Sequence, residues 1–339
     1  MAQSLAVKYR PKTFSDVIGQ DNIVKILQSQ IDTNAQRNTY LFVGPAGDGK
    51  TTCARILANE LNKGQGLPIE LDAASHNGVD DVRSIIDQAQ TKSLDSEYKV
   101  FIIDECHALS NNAWQALLKL IEEPPAKAIF IFCTTNPEKI PRTIISRVQR
   151  YDFRMLSQEA IIQRLKYVCD KEAVDMTGSV DDSALEYIAK LADGHMRDAL
   201  TMLDQCLAYS YELTLENVIA VLGVVDYDSM MELTDNILNK DDTEAINTLN
   251  DIYNSGKDIK LFWKQYTNFL IDISKYRIGC DWKYINIPKV NKYTAWLDAL
   301  ADAELETCFE LMKAGIKLNA EIKYSAVPKL DIEAMLMTF

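Results

Sequence analysis

The chain has 339 residues, 47% apolar and 25% charged, with a net charge of −13. That length exceeds one ordinary core and calls for two or three domains; that balance excludes a disordered, collagenous or coiled-coil chain. The longest apolar runs, such as Ala128–Cys133, are far too short to span a bilayer, and Met1–Phe14 carries Lys8, Arg10 and Lys12 where a secretory signal would need an apolar block.

Up to about Phe153, short β-rich runs alternate with helical stretches. Tyr40–Val43, Pro68–Leu71, Lys99–Ile103 and Ala128–Phe132 are near-continuous apolar runs. Such runs suit a parallel sheet covered on both faces, and their alternation with helices predicts an α/β domain over 1–156. After Phe153 the strand signals stop. Ile161, Ile162, Leu165 and Val168, then Leu185, Ile188, Ala189 and Ala192, recur at helical spacing, and Gly194 is placed to end a helix. A further helix starts after Thr214 and runs to about Leu222, where Gly223 breaks it. We expect a small helical domain over 157–222 and an all-α domain over 223–339, with helix starts near Asp228 and Pro328. In the latter, Phe262, Tyr266, Phe269, Leu270 and Ile273 read as core. No internal repeat or low-complexity segment is present.

Residues 1–156 hold 18 basic and 18 acidic residues, whereas 157–339 hold 18 against 31, so the whole negative charge lies in the second part. A protein that coats nucleic acid with its entire surface is excluded; local phosphate contacts from the neutral part are not. The seven cysteines form no Cys-x-x-Cys pair, and their spacing fits neither a zinc site nor a disulfide framework. Buried free thiols are the expectation.

Gly44-Pro45-Ala46-Gly47-Asp48-Gly49-Lys50-Thr51 fits the phosphate-loop pattern G-x-x-x-x-G-K-[ST] between a strand and a helix that begins about Thr52. Glycines let backbone N–H groups close around phosphates, Lys50 brings charge to the outer phosphates, and the Thr51 hydroxyl can ligate Mg²⁺. Asp48 is out of place in such a cradle, and it is expected to point to solvent. Val100–Glu105 is an apolar strand ending in two carboxylates at the edge where α/β sheets place ligands. Asp104 would hold the metal and Glu105 would polarise the attacking water. Asp104-Glu105-Cys106-His107 also spells a helicase-like box, but a helicase needs a second strand-containing motor domain; His107 reads as a partly exposed residue at a helix start. Cys133-Thr134-Thr135-Asn136 ends a neighbouring strand, so Thr134 or Thr135 could position the water or sense the γ-phosphate. Arg147 follows shortly after, and Arg197 lies at the first turn of a later helix.

Taken in order, Lys8–Gln20, Leu71–Ser75, Asp104–Ser110, Leu117–Pro125, Ser146-Arg147 and Arg197–Leu200 resemble the AAA+ clamp-loader ATPases, and within them the γ/τ subunits of bacterial DNA polymerase III. The resemblance spans nearly the whole chain. It implies a P-loop AAA+ domain with a parallel sheet, a helical lid and an all-α collar. It implies that Tyr9, Arg10, Pro11 and Ile18 lie along adenine and ribose. Gly47, Asp48, Gly49, Lys50, Thr51 and Thr52 would surround the phosphates of ATP, with Mg²⁺ on Thr51 and Asp104. Thr135 would be a first sensor, Met196 and Arg197 would reach the nucleotide from the lid, and Arg147 would enter a neighbour's site. The expected partners are other subunits of a five-membered ring, a sliding clamp and primer–template DNA, in a bacterial cytoplasm and with no membrane. ATP binding would open the clamp, and hydrolysis would release clamp and DNA.

Two departures stand out. The family usually carries a four-cysteine zinc module after the P-loop helix; here Leu61 runs through Asn62–Gly66 to the strand at Pro68, so no zinc is expected and a phage-encoded or reduced relative is implied. The chain ends at Phe339 without a basic or Pro-rich tail, resembling the short form. Asn77, Lys92 and Lys119 are the candidates for DNA contact. A non-hydrolysing scaffold subunit and another AAA+ remodeller, such as a branch-migration motor, are the competing functions.

Overall fold

A computed structural model of the chain describes residues 3–173, 180–210, 212–222, 227–256 and 258–338. Contacts divide the chain into two compact units, one of residues 1–178 with 188–211 and one of 179–187 with 212–339.

The first unit is built on five parallel strands, β1 Thr39–Val43, β2 Ile69–Asp72, β3 Lys99–Asp104, β4 Ala128–Thr134 and β5 Gln149–Asp152, in the order β2-β3-β4-β1-β5. Its helices are α1 Leu5–Lys8, α2 Asp21–Asp32, α3 Lys50–Leu61, α4 Val79–Ala89, α5 Asn111–Glu122, α6 Arg142–Ile145 and α7 Gln158–Ala173. Then come α8 Asp182–Leu191, which passes from one unit to the other, and α9 Met196–Tyr209. The four expected strands are present, each within one or two residues of its predicted ends. The fifth, β5, carries Gln149, Arg150 and Asp152 around one buried Tyr151 and so has no apolar signature; it is an edge strand with only β1 beside it.

Side chains alternate across the sheet, and the two faces have separate cores. Phe101, Ile103, Phe130 and Phe132 pack with Trp114 and Leu117 of α5 and Val82 and Ile85 of α4. Val100, Ile102, Ile129 and Ile131 pack on the other face with Leu57 of α3 and Leu27 of α2. Phe101 and Phe130 stack face to face, centroids 5.0 Å apart. Burial on both sides explains why these strands are apolar at every position rather than every second one. Caps fix the helix starts: Ser110 Oγ accepts from Ala113 N at 3.2 Å at the head of α5.

The second unit contains α10 Leu215–Leu222, α11 Tyr227–Leu238, α12 Asp242–Asn254, α13 Ile259–Arg277, α14 Asn291–Ala299, α15 Asp302–Glu321 and α16 Pro328–Leu336. The predicted start at Thr214 and the starts near Asp228 and Pro328 agree with α10, α11 and α16; Gly223, the expected breaker, lies outside the described residues. Helix α13 is the spine. Phe262, Trp263, Tyr266, Phe269, Leu270 and Ile273 are buried, and its N-cap Asp258 accepts from Lys260 N at 2.9 Å. Its one buried carboxylate, Asp272, pairs with Lys275 at 2.8 Å and accepts from Asn286 N at 2.7 Å. Both groups are thereby satisfied where isolation would be costly.

Candidate functional site

The sheet order sets the site. β4 lies between β1 and β3, with Val43 opposite Thr134, so the loop after β1, the end of β3 and the end of β4 converge at one edge. The chain leaves β1 for α3 on one face of the sheet and β3 for α5 on the other, which opens a crevice at the carboxyl ends of the strands.

The loop from Gly44 to Gly49 is shaped by its glycines. Gly47 and Gly49 have φ of +76° and +99°, a region that side chains disfavour. At Gly44 a side chain would strike the Asp48 carboxylate and Phe153 backbone and Cβ, the latter two within 2.8 Å. Lys50 is only 5% exposed, and its Nζ donates to Gly44 O at 2.8 Å and to Pro45 O.

The expectation for Asp48 is overturned. Its side chain does not face solvent: the residue is 4% exposed, and Oδ1 lies 3.0 Å from Lys50 Nζ. The tight turn between Gly47 and Gly49 aims position 48 at the sheet. The neighbouring ammonium supplies the counter-charge that makes burial tolerable. Burial pushes the Asp48 carboxyl above its usual range, with Lys50 opposing the shift, and among the described residues Oδ2 has no hydrogen-bond partner.

Thr51 Oγ1 donates to Asp104 Oδ2 at 2.8 Å, joining the loop to the end of β3. The next residue, Glu105, adopts a left-handed conformation with φ of +46°, an uncommon state that clusters at functional sites. Its Oε2 accepts from Thr135 Oγ1 at 3.0 Å and lies 3.2 Å from His107 Nδ1, which also lies 3.1 Å from Thr134 Oγ1. His107 is thus part of the carboxylate's cage rather than only a helix-start residue.

A cleft of about 210 Å³ contains the rest. Tyr9, Arg10, Pro11, Ile18, Gly47, Asp48, Gly49, Lys50, Thr51, Thr52, Asp104, Glu105, Met196 and Arg197 all line it, although they are spread over nearly 190 positions of sequence. A Cβ on Gly47 would stand 3.4 Å from Arg197 Cβ, so the head of α9 leans directly on the loop. His195 Nδ1 is 2.6 Å from Ala46 O in the same corner. The Tyr9 hydroxyl is pushed up to about 12 by burial and by its bond to Glu172.

Sequence reasoning missed Arg164, Asp16, Leu156 and Leu200, which also line the cleft. Arg164 Nη2 donates to Tyr9 O at 2.6 Å and its guanidinium lies over the Tyr167 ring, which fixes the N-terminal segment against α7. Asp16 and Leu200 lie in the stretches that carry the family resemblance but were given no role there, and no motif marks Leu156 or Arg164, which packing brings in. Gln20 is buried and bridges Arg154 O at 2.7 Å to the loop at Asp48 O.

Thr135 touches the cleft only through Glu105. Arg147 is not among the lining residues. It is exposed, bonded to Glu122 Oε1 at 2.7 Å and to Thr143 O at 2.8 Å. Asn77, Lys92 and Lys119 are all exposed: Asn77 precedes α4, Lys92 follows it, and Lys119 lies toward the end of α5.

The cradle and cleft fit a nucleotide polyphosphate: left-handed glycines, a buried lysine and a helix head together suit an anion. The Thr51 hydroxyl and Asp104 carboxylate are the hard oxygen donors a Mg²⁺ would take. Among the described residues no group of three or more His, Cys, Asp or Glu could hold a metal ion. Mg²⁺ in phosphate sites needs only one or two protein ligands beside the phosphates and water, so this does not conflict with the pair.

Comparison with known proteins gives three family matches in series: the DNA polymerase III delta subunit over 67–157, the DNA polymerase III clamp loader subunit ATPase lid domain over 160–212, and domain III of the DNA polymerase III subunits gamma and tau over 213–338. The gamma subunit of Buchnera aphidicola is 32% identical, the alignment covering 99% of this chain and 98% of that one. The tau subunit of Bacillus subtilis is 35% identical, covering 98% of this chain and 62% of tau. STICHEL-like 1 of Arabidopsis thaliana is 35% identical over 94% of this chain and 30% of its own length. The chain therefore spans about a third to under two thirds of the length of several relatives it matches. Among solved structures, the Thermotoga maritima RuvB Holliday junction branch migration motor superposes with a TM-score of 0.52 at 22% identity, covering 68% of this chain and 79% of that one. A single-residue variant of that motor gives 0.53 at 21% identity, covering 76% and 90%. At that identity the likeness speaks for the fold, a P-loop AAA+ sheet followed by helical domains.

Proposed function

Because the chain belongs to the gamma/tau family of DNA polymerase III clamp-loader subunits, we propose that it is an ATP-driven motor subunit that opens a sliding clamp and places it on primer–template DNA. The observation that carries this reading is the single cleft joining Lys50, Thr51, Asp104, Glu105 and Arg197. In it, Lys50 takes the outer phosphates, and Thr51 with Asp104 holds Mg²⁺. The ion, when bound, would neutralise charge on the phosphates. Glu105 takes a proton from the attacking water. Thr135 and His107 hold its carboxylate until the water is in place; their bonds to Oε2 support that role. Arg197 reaches the γ-phosphate from its own chain.

Arg147 is exposed and outside its own cleft, which suits a residue delivered to the next subunit's nucleotide, where an arginine can be worth about 10³ to 10⁵ in rate. The neighbours would form a ring of five, with 1–156 as motor domain, 157–222 as lid and 223–339 as collar. DNA contact would come from exposed side chains such as Asn77, Lys92 and Lys119 acting on backbone phosphates.

A second reading, a non-hydrolysing scaffold subunit of the same ring, is favoured by one observation: Asp48 already occupies Lys50. Steady-state ATP hydrolysis by the assembled ring, with and without primed DNA and clamp, separates the two. Turnover that rises with both ligands and falls sharply in Glu105→Gln while ATP binding persists supports the motor. Nucleotide retained without turnover supports the scaffold, and turnover indifferent to both ligands overturns the loader reading.

A further inference from the structure

We infer that Asp48 is a built-in competitor of phosphate: its carboxylate sits on the donors that a nucleotide's phosphates would use, and each nucleotide that binds must displace it. This rests on the reading of the cleft as a nucleotide site, and it concerns affinity rather than turnover.

A phosphate loop offers an anion two kinds of donor, backbone N–H groups and the lysine ammonium. Asp48 Oδ1 already takes one of each from the same residue. It accepts from Lys50 N at 3.3 Å and from Lys50 Nζ at 3.0 Å. The pair is shut away from water, with side-chain exposures of 5% for Lys50 and 1% for Asp48. Screening is therefore weak, and the carboxylate is a strong rival for that ammonium. The other oxygen, Oδ2, is buried with no partner among the described residues. A carboxylate placed purely as a brace would be expected to satisfy both oxygens, so this one is held by the lysine alone on one side. The space it occupies is real: it fills the position a side chain on Gly44 would need.

Two consequences separate competition from bracing. Removing the charge while keeping the shape should strengthen binding of phosphate-bearing ligands and leave a ligand without phosphate unaffected. It should also weaken the ligand-free protein, because Lys50 loses its buried counter-ion.

The test is isothermal titration of the intact chain and its Asp48→Asn variant with ATP, ADP and adenosine, at one pH and fixed Mg²⁺ and salt, together with thermal melts of both with and without ATP. Loss of one charge-assisted bond from the competing state predicts that Asp48→Asn binds ATP and ADP about tenfold more tightly. Adenosine should bind both proteins equally, and the variant should melt lower when empty yet show the larger ATP-induced rise. Asp48→Thr, also uncharged, should repeat the gain. Unchanged or weaker ATP binding in both variants overturns the proposal, as does an equal gain for adenosine, or failure of both variants to fold; each makes Asp48 a structural brace. If the unaltered chain binds no ATP at all, the nucleotide reading falls with it, whereas normal ATP binding with no gain in the variants sinks only the competition.

Discussion

Lys50→Met should unfold the first unit's phosphate loop before it says anything about catalysis. The substitution keeps the length of the side chain and removes the ammonium, leaving Asp48 buried with only a backbone N–H at 3.3 Å and one oxygen already unpartnered. Breaking one side of a buried ion pair costs about 3–5 kcal/mol. In a unit of about 200 residues, 1 kcal/mol moves the melting temperature by roughly 2–4 °C, so the expected fall is about 6–20 °C near neutral pH. Protonation offers Asp48 an escape. Burial already raises its folded pKa above the unfolded value, and loss of Lys50 raises it further. Stability carried by a group of this kind is complete below the unfolded carboxyl pKa and is lost as pH rises through the folded one. The deficit of Lys50→Met should therefore shrink as the pH falls from 8 toward 5. Adding Asp48→Asn should restore most of the loss, a non-additivity expected of direct contacts. Differential scanning calorimetry of the nucleotide-free proteins across that range is the assay. A variant that melts within a degree of the parent at pH 8, or whose deficit grows on acidification, would refute the buried-pair argument.

Glu105→Gln should bind ATP normally and lower turnover about 10²- to 10⁴-fold, the usual worth of a positioned base; normal turnover would remove Glu105 from that role. Thr135→Val, which deletes the 3.0 Å bond to Glu105, should change kcat with little effect on KM, and a pure KM effect would argue against it. Arg147→Ala should abolish hydrolysis in the assembled ring while leaving the melting temperature of the isolated chain nearly unchanged, because its pair with Glu122 is exposed and such pairs contribute little. Of the seven thiols, six are buried and Cys280 alone is partly exposed. Burial pushes Cys53 and Cys308 up to about 12. One thiol should react quickly with an aromatic disulfide reagent at pH 8 in the native protein, and two or more rapid equivalents would contradict the packing.

The sequence by itself determined the parts whose physics is local. Strands β1, β3 and β4 announced themselves because burial on both faces makes nearly every position apolar, β2 showed only its half-buried Ile69 and Leu71, and the loop from Gly44 to Thr51 was legible because only glycine readily takes the backbone angles found at 47 and 49. The helical character of the described stretches after Phe153 followed from a period of 3.6 residues; just before them lies the short edge strand β5. That strand was silent, since one buried Tyr151 among polar neighbours gives no alternation to read. What the tertiary structure alone decided is where side chains point and which distant segments meet. Asp48 reads in the sequence as a solvent-facing anomaly, and the turn of the loop drives it onto Lys50. Arg164 carries no motif, and the fold sets it on the carbonyl of Tyr9, 155 residues earlier. His107 joins Thr135 on Glu105 because β3 and β4 end side by side. Direction and long-range proximity are properties of the packed chain; a one-dimensional pattern records which residues can be buried or bent, not what they will face once they are.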